Sequence, residues 1–159
     1  MTKKNQIIFM QGKELALKHL FGTEVPSPFG YLAIGHSTTE VNGFVDPLAT
    51  NSSTVSADEL GPYNNGFMEL PEGNNYHRIP LNLKSNDITY DQDTGKVLVK
   101  FEATLSEDNI ISSEVINQLA IVDDASVQSA NTKFYSATVF PDFTKSDQSS
   151  ITFVIGFRL

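Results

Sequence analysis

With 159 residues, 40% of them apolar, the chain has the size of one domain and can bury roughly two thirds of its unfolded surface without a disulfide or metal staple. It contains no cysteine, which excludes thiol catalysis and suits a reducing compartment. A net charge of −8, with cations scattered singly beyond Lys3-Lys4, argues against a phosphate-binding surface, so no nucleic-acid partner is expected. Only four apolar residues, Ile7 to Met10, follow the start, and no run approaches the roughly 20 residues that span a bilayer, so neither a secretion signal nor a membrane partner is expected. Eleven Phe and five Tyr with no Trp favour a Phe-rich core over a Trp-lined sugar platform.

In chain order, Gln11 to Phe21 carries Leu15, Ala16, Leu17 and Leu20 at helical spacing, and Gly22 stands where a left-handed residue ends a helix. Lys18 and His19 suit the dipole in its last turn. So short a helix is not stable alone and is expected to cover a face or end of a β core. After Pro26 and Pro28 comes a strand, Phe29 to His36. Residues 37–75 are rich in Gly, Pro, Asn, Ser and Asp and lack periodicity, which marks a long functional or surface excursion.

Periodicity returns at Tyr76 to Leu83, where Ile79, Leu81 and Leu83 alternate with Arg78, Pro80 and Asn82. Pro80 cannot donate to a ladder, so this strand belongs at an edge. Asp87 to Tyr90 leads through the turn residues Asp91 to Gly95 into a long strand. There Val97, Val99, Phe101, Ala103 and Leu105 share one face, while Leu98, Lys100, Glu102 and Thr104 share the other. Val115 to Asp123, Thr132 to Phe140 and Ser149 to Leu159 supply three more strands. In the last, Ile151, Phe153, Ile155, Phe157 and Leu159 oppose Thr152, Val154, Gly156 and Arg158, so the chain end should be held by ladder hydrogen bonds. About seven strands at this spacing predict a mainly β fold: a single domain over residues 1–159, built as an antiparallel two-sheet, jelly-roll-like β-sandwich with one N-terminal α-helix.

Reactive constellations are scarce in the sequence. His19, His36 and His77 form no H-x-H or H-E-x-x-H unit. Asp91, Asp93 and Gly95 echo a calcium loop, but Lys96 and Val97 stand where later ligands belong, and turn chemistry explains the same residues. Glu107-Asp108 and Asp123-Asp124 are adjacent pairs, and strand neighbours point to opposite faces. Gly35-His36-Ser37 lacks a nucleophile elbow, and there is no P-loop or G-x-G-x-x-G. No enzyme activity, cofactor or metal is therefore expected; a metal-assisted hydrolase using His36 and His77 is the weakest rival. Tyr63, Phe67 and Tyr76 either stack on a sugar or anchor the excursion onto the sheet or another subunit, and anchoring is the favoured role.

Together the segments resemble small virion structural proteins of tailed bacteriophages, the tail-fibre-like, baseplate and head-decoration components. Gly12-Lys13-Glu14-Leu15-Ala16-Leu17-Lys18-His19-Leu20-Phe21-Gly22 is similar to an opening "GK..(I/L)…LFG" helix. Gly30-Tyr31-Leu32-Ala33-Ile34-Gly35 with Ser37-Thr38-Thr39 looks like a "YLAIG.STT" strand and turn. Glu59-Leu60 ahead of Tyr76-His77-Arg78-Ile79-Pro80-Leu81 is similar to an "E(I/L)…Y.R..L" element. Ile116 to Asp123, Ala137 to Pro141, Lys145 and the last strand resemble the group's ending, with Gln118 where an acidic residue is common. The resemblance implies a non-enzymatic building block of a virion assembled in the host cytoplasm, whose partners are other virion proteins and copies of itself. Contacts are then expected at Tyr76 to Leu83 and in Val41 to Asn75, with Phe44, Leu48, Tyr63, Phe67, Tyr76 and Pro80 as candidate interface residues. Lys4 to Met10 is expected to extend to a neighbour. The alternative on the same sandwich is a carbohydrate-binding module for host-surface glycan, with Tyr63 and Tyr76 as stacking groups.

Overall fold

A computed structural model describes residues 3–4, 6–22, 29–36, 44–45, 69–70, 76–81, 84, 87–109, 115–127, 132–146 and 148–158. They form β1 (Lys3–Lys4), β2 (Gln6–Ile8), α1 (Met10–Phe21), β3 (Tyr31–Gly35), β4 (Phe44–Val45), β5 (Ile79–Pro80), β6 (Ile88–Asp91), β7 (Lys96–Leu105), β8 (Val115–Val122), β9 (Phe134–Thr144) and β10 (Ile151–Arg158). A five-stranded sheet runs in the order β2-β9-β8-β3-β5, and a three-stranded sheet in the order β10-β7-β6. A short ribbon pairs β1 with β4. Every pairing among the described residues is antiparallel.

The two larger sheets enclose one core. Leu32 and Ile34 of β3 and Leu119 and Ile121 of β8 cluster with Ala103 and Leu105 of β7 and Ile155 of β10. Burying each such aliphatic side chain contributes about 1.5–3 kcal/mol. On β7, Ala103 and Leu105 are buried while Lys100, Glu102 and Thr104 are exposed, as a period of two demands. On β10, Ile155 is buried while Thr152, Val154 and Gly156 are exposed. The five-stranded sheet is covered on its second face as well, where Ala33, Ala120, Val122, Ala137 and Val139 join Phe9 and Phe134. β8 therefore reads as a continuous buried run from Ile116 to Val122 rather than an alternation.

Proline positions follow the backbone's hydrogen-bond needs. Pro80 lies in the edge strand β5. β9 runs past Phe140 to Thr144 because Pro141 falls at an irregularity, where Val139 faces Gln118 and Phe143 faces Ile116. At that point the Asn117 amide donates to Asp142 Oδ1 at 3.1 Å.

Three expectations are corrected. The segment expected to reach a neighbour, Lys4 to Met10, is used at home: β2 pairs with Ser136–Thr138 of β9, and Phe9 N–H donates to Tyr135 O. Of the strand expected over Tyr76 to Leu83, the described residues form a ladder only at β5, and the irregular backbone at 76–78 lets the neighbours Arg78 and Ile79 both be buried, which an alternating strand would not. The helix starts and stops almost where expected, with Gly22 at φ 65° donating to His19 O and Lys18 O. Yet it is no simple cover for the core. Gly12 sits against β9, but Leu17, Leu20 and Phe21 are 55%, 73% and 73% exposed.

Candidate functional site

Among the described residues the strongest convergence of polar side chains lies inside the protein, around Glu69 and Arg78. Glu69 bridges to Gly35 at the end of β3, and Leu70 N–H donates to Ile34 O at 3.0 Å. This brings the Glu69 carboxylate to Arg78, just before β5. Arg78 Nε donates to Oε1 at 2.7 Å and Nη2 to Oε2 at 2.8 Å, a two-pronged pairing with both side chains fully enclosed. Arg78 Nη1 also donates to Thr132 Oγ1 at 2.9 Å and to Asp124 O at 2.8 Å. The Tyr76 hydroxyl donates to Glu69 Oε1 at 3.1 Å and accepts the Ile34 N–H at 2.7 Å. Burial, followed by the negative charge of Glu69, pushes the Tyr76 phenol well above its usual range, so it remains a donor at neutral pH.

This constellation ties β3, the return at Glu69, the approach to β5 and the 124–132 connection together. Its charges and hydroxyls hold one another, which makes it a clamp. Tyr76 is fully buried and anchors the return at Glu69 onto β3, the role favoured for it, while its places as an interface residue and as a sugar-stacking group are corrected. Its ring cannot meet a partner while its hydroxyl holds the β3 backbone.

A second internal anchor is Lys145, only 1% exposed, whose ammonium donates to Glu107 O at 3.0 Å and Ser146 O at 3.2 Å. It ties the 3-10 turn Glu107–Asn109 to the end of β9.

The other sequence candidates separate. His19 is exposed on α1, His77 is exposed beside β5, and His36 is half-buried with an enclosed Nδ1. Among the described residues no group of three or more His, Cys, Asp or Glu side chains is placed to hold a metal. The Asp91 carboxylate accepts from Asp93 N–H, Thr94 N–H and Thr94 Oγ1, the turn role expected of it. Asp123 and Asp124 likewise accept the backbone N–H groups of Lys133 and Ser126. Phe44 contributes backbone to β4, and its side chain lies outside the described residues, as do Leu48, Tyr63 and Phe67. Pro80 is exposed, at the sheet edge where it was expected.

Two concavities lined by described residues bear on ligand binding. A void of about 10 Å³ between the layers, lined by Leu32, Leu119, Ile121 and Ile155, has room for about one water. A shallow groove of about 460 Å³ runs between β5 and β7, lined by His77, Pro80, Glu102, Thr104 and Ser106. The bare surface elsewhere is more distinctive. Besides the α1 trio, Ile88 and Tyr90 of β6 are 49% and 64% exposed. Helical spacing of Leu15, Ala16, Leu17 and Leu20 reports an apolar face to be covered, without saying by which molecule. No family model, curated protein or solved structure matches this chain.

Proposed function

We propose that the chain is a non-enzymatic structural component of a tailed-bacteriophage virion, acting in the tail, baseplate, fibre adaptor or as a capsid accessory. It is assembled in the host cytoplasm and held in the particle by protein–protein contacts with other virion proteins and with copies of itself. The ordered segments from the opening helix to the last strand support the virion assignment. The observation that carries the building-block role is the pairing of a braced two-layer framework with large apolar side chains left in water at Leu17, Leu20, Phe21, Ile88 and Tyr90. Exposed apolar clusters on a folded domain mark contact sites. A net charge of −8 keeps such a subunit soluble until it docks.

The carbohydrate-binding alternative loses one of its two stacking groups, since Tyr76 is inside. Quantitative mass spectrometry of purified particles tests the virion reading. The expected result is a constant ratio of this chain to the major structural proteins across preparations. Recovery only from cell lysate, with none in washed particles, rejects it.

A further inference from the structure

Among the described residues two bare apolar patches lie at opposite edges of the sandwich, apart from Val154, which is exposed on β10. α1 packs on β9, beside the β2 edge of the larger sheet. β5 forms the other edge and touches β7, with β6 lying beyond β7. Ile88 and Tyr90 stand in register with Val99 and Val97, and Val99 packs against the core. The two β6 side chains therefore belong to the inward face of the smaller sheet, carried past the edge of the layer that would cover them. On α1, Leu17, Leu20 and Phe21 are spaced i, i+3, i+4 and so share one face.

The charges around the two patches are opposite in sign. Residues 10–21 hold Lys13 and Lys18 against Glu14, a net +1, in a chain of net −8. Residues 87–96 hold Asp87, Asp91 and Asp93 against Lys96, a net −2. Pairing hairpin with hairpin would set two net −2 segments together, and pairing helix with helix would join two net +1 segments, in each of which Lys18 already pairs with Glu14 at 3.0 Å, so neither offers a charge complement. Pairing unlike patches joins an apolar knob with a cationic rim to an apolar shelf on an acidic hairpin.

We infer that the Leu17/Leu20/Phe21 face of one copy docks on the Ile88/Tyr90 shelf of the next. Such a head-to-tail contact repeats: it closes a ring if the rotation per copy closes, and otherwise extends a filament. Three side chains on one patch fall short of the about 800 Å² per partner of a stable pairwise interface, so each contact is weak and gains strength from repetition. The inference rests on the building-block role above and names the surfaces that meet.

Because the chain has no cysteine, cross-linking tests this cleanly. Leu20→Cys and Tyr90→Cys variants, one carrying a size tag, are mixed under mild oxidation. A Leu20→Cys with Thr152→Cys mixture is the control, since Thr152 is exposed on the outer face of β10. All three positions are exposed, and unchanged melting temperatures verify that the variants fold. The expected result is a mixed Leu20–Tyr90 dimer forming at least about tenfold faster than the control, as a docked contact raises local concentration. The double variant Leu20→Cys/Tyr90→Cys should give a reducible ladder. Equal rates for all mixtures overturn the inference, as does Leu20→Cys alone dimerising as fast as the Leu20–Tyr90 mixture, which would mean helix-on-helix pairing. Particles that contain the protein without a selective cross-link would sink this pairing alone. A selective cross-link with no protein in particles would sink only the virion reading.

Discussion

Arg78 illustrates how an enclosed charge makes a local arrangement all-or-none. Its guanidinium has Glu69 on one side and Thr132 with the Asp124 carbonyl on the other, with no exposure to solvent. Glu69→Gln leaves the cation without its anion and is expected to lower unfolding free energy by about 3–5 kcal/mol in denaturant titration. Changing Arg78→Met and Glu69→Leu together should be milder than either alone, because no uncompensated charge remains. Tyr76→Phe strands the Ile34 N–H and should cost about 1–3 kcal/mol. The phenol also carries a pH signature. Its folded pKa lies above the unfolded value of about 10, so its contribution is full below that pH and is lost as pH rises beyond it. Tyr76→Phe should therefore flatten the alkaline limb of the stability curve, leaving the smaller part due to Tyr135, whose phenol burial also raises. None of this was legible from the residues themselves. Alternation put Arg78 on the wet side with Pro80, but the backbone before Ile79 is not a strand, so a period of two does not govern it. Glu69 lies in a stretch with no periodicity at all.

Elements with a strict pattern were legible, because a ladder forces alternation on whatever sequence occupies it. The faces of β7 and β10, the hairpin at Asp91 and the end of α1 at Gly22 all follow from local chemistry. What α1 rests on did not follow, because close approach depends on the other element. A Cβ added at Gly12 would lie 2.6 Å from both Tyr135 Cα and Tyr135 O, which are backbone atoms that cannot swing aside. Gly12→Ala should therefore push α1 off β9 despite alanine's better helix propensity, destabilising by about 1–3 kcal/mol in thermal unfolding. Lys145 makes a comparable link between elements, since its ammonium holds the Glu107 carbonyl of the 107–109 turn and the Ser146 carbonyl just after β9. Lys145→Met preserves most of the buried volume but releases both carbonyls. The expected readout is faster amide hydrogen exchange at residues 107–109, with β8 and β9 protection little changed.

For the whole molecule, the order β2-β9-β8-β3-β5 seats β3 between β8, from much later in the sequence, and β5. Antiparallel two-layer architecture was legible from the count and patterning of strands; this order was not, because one-residue patterns say which face is apolar and nothing about which strand lies alongside. Ile155 reaches across the layers to Leu32, Leu119 and Ile121, so Ile155→Ala is expected to cost about 2–5 kcal/mol and to lower the denaturant midpoint without changing the slope.

The seating of β3 also has a consequence for biosynthesis. A ribosome releases β2 and β3 well before the β8–β9 pair that receives them has been made. Although β1 and β4 can pair early, β2 and the β8-facing edge of β3 must wait unmet. Refolding after dilution from urea should accordingly be slow for this size, in the range of about milliseconds to seconds typical of chains dominated by distant pairings, as stopped-flow fluorescence of the tyrosines would record. Nascent chains stalled short of Val115 should remain protease-sensitive through Tyr31–Gly35, and those extended past Thr144 should not.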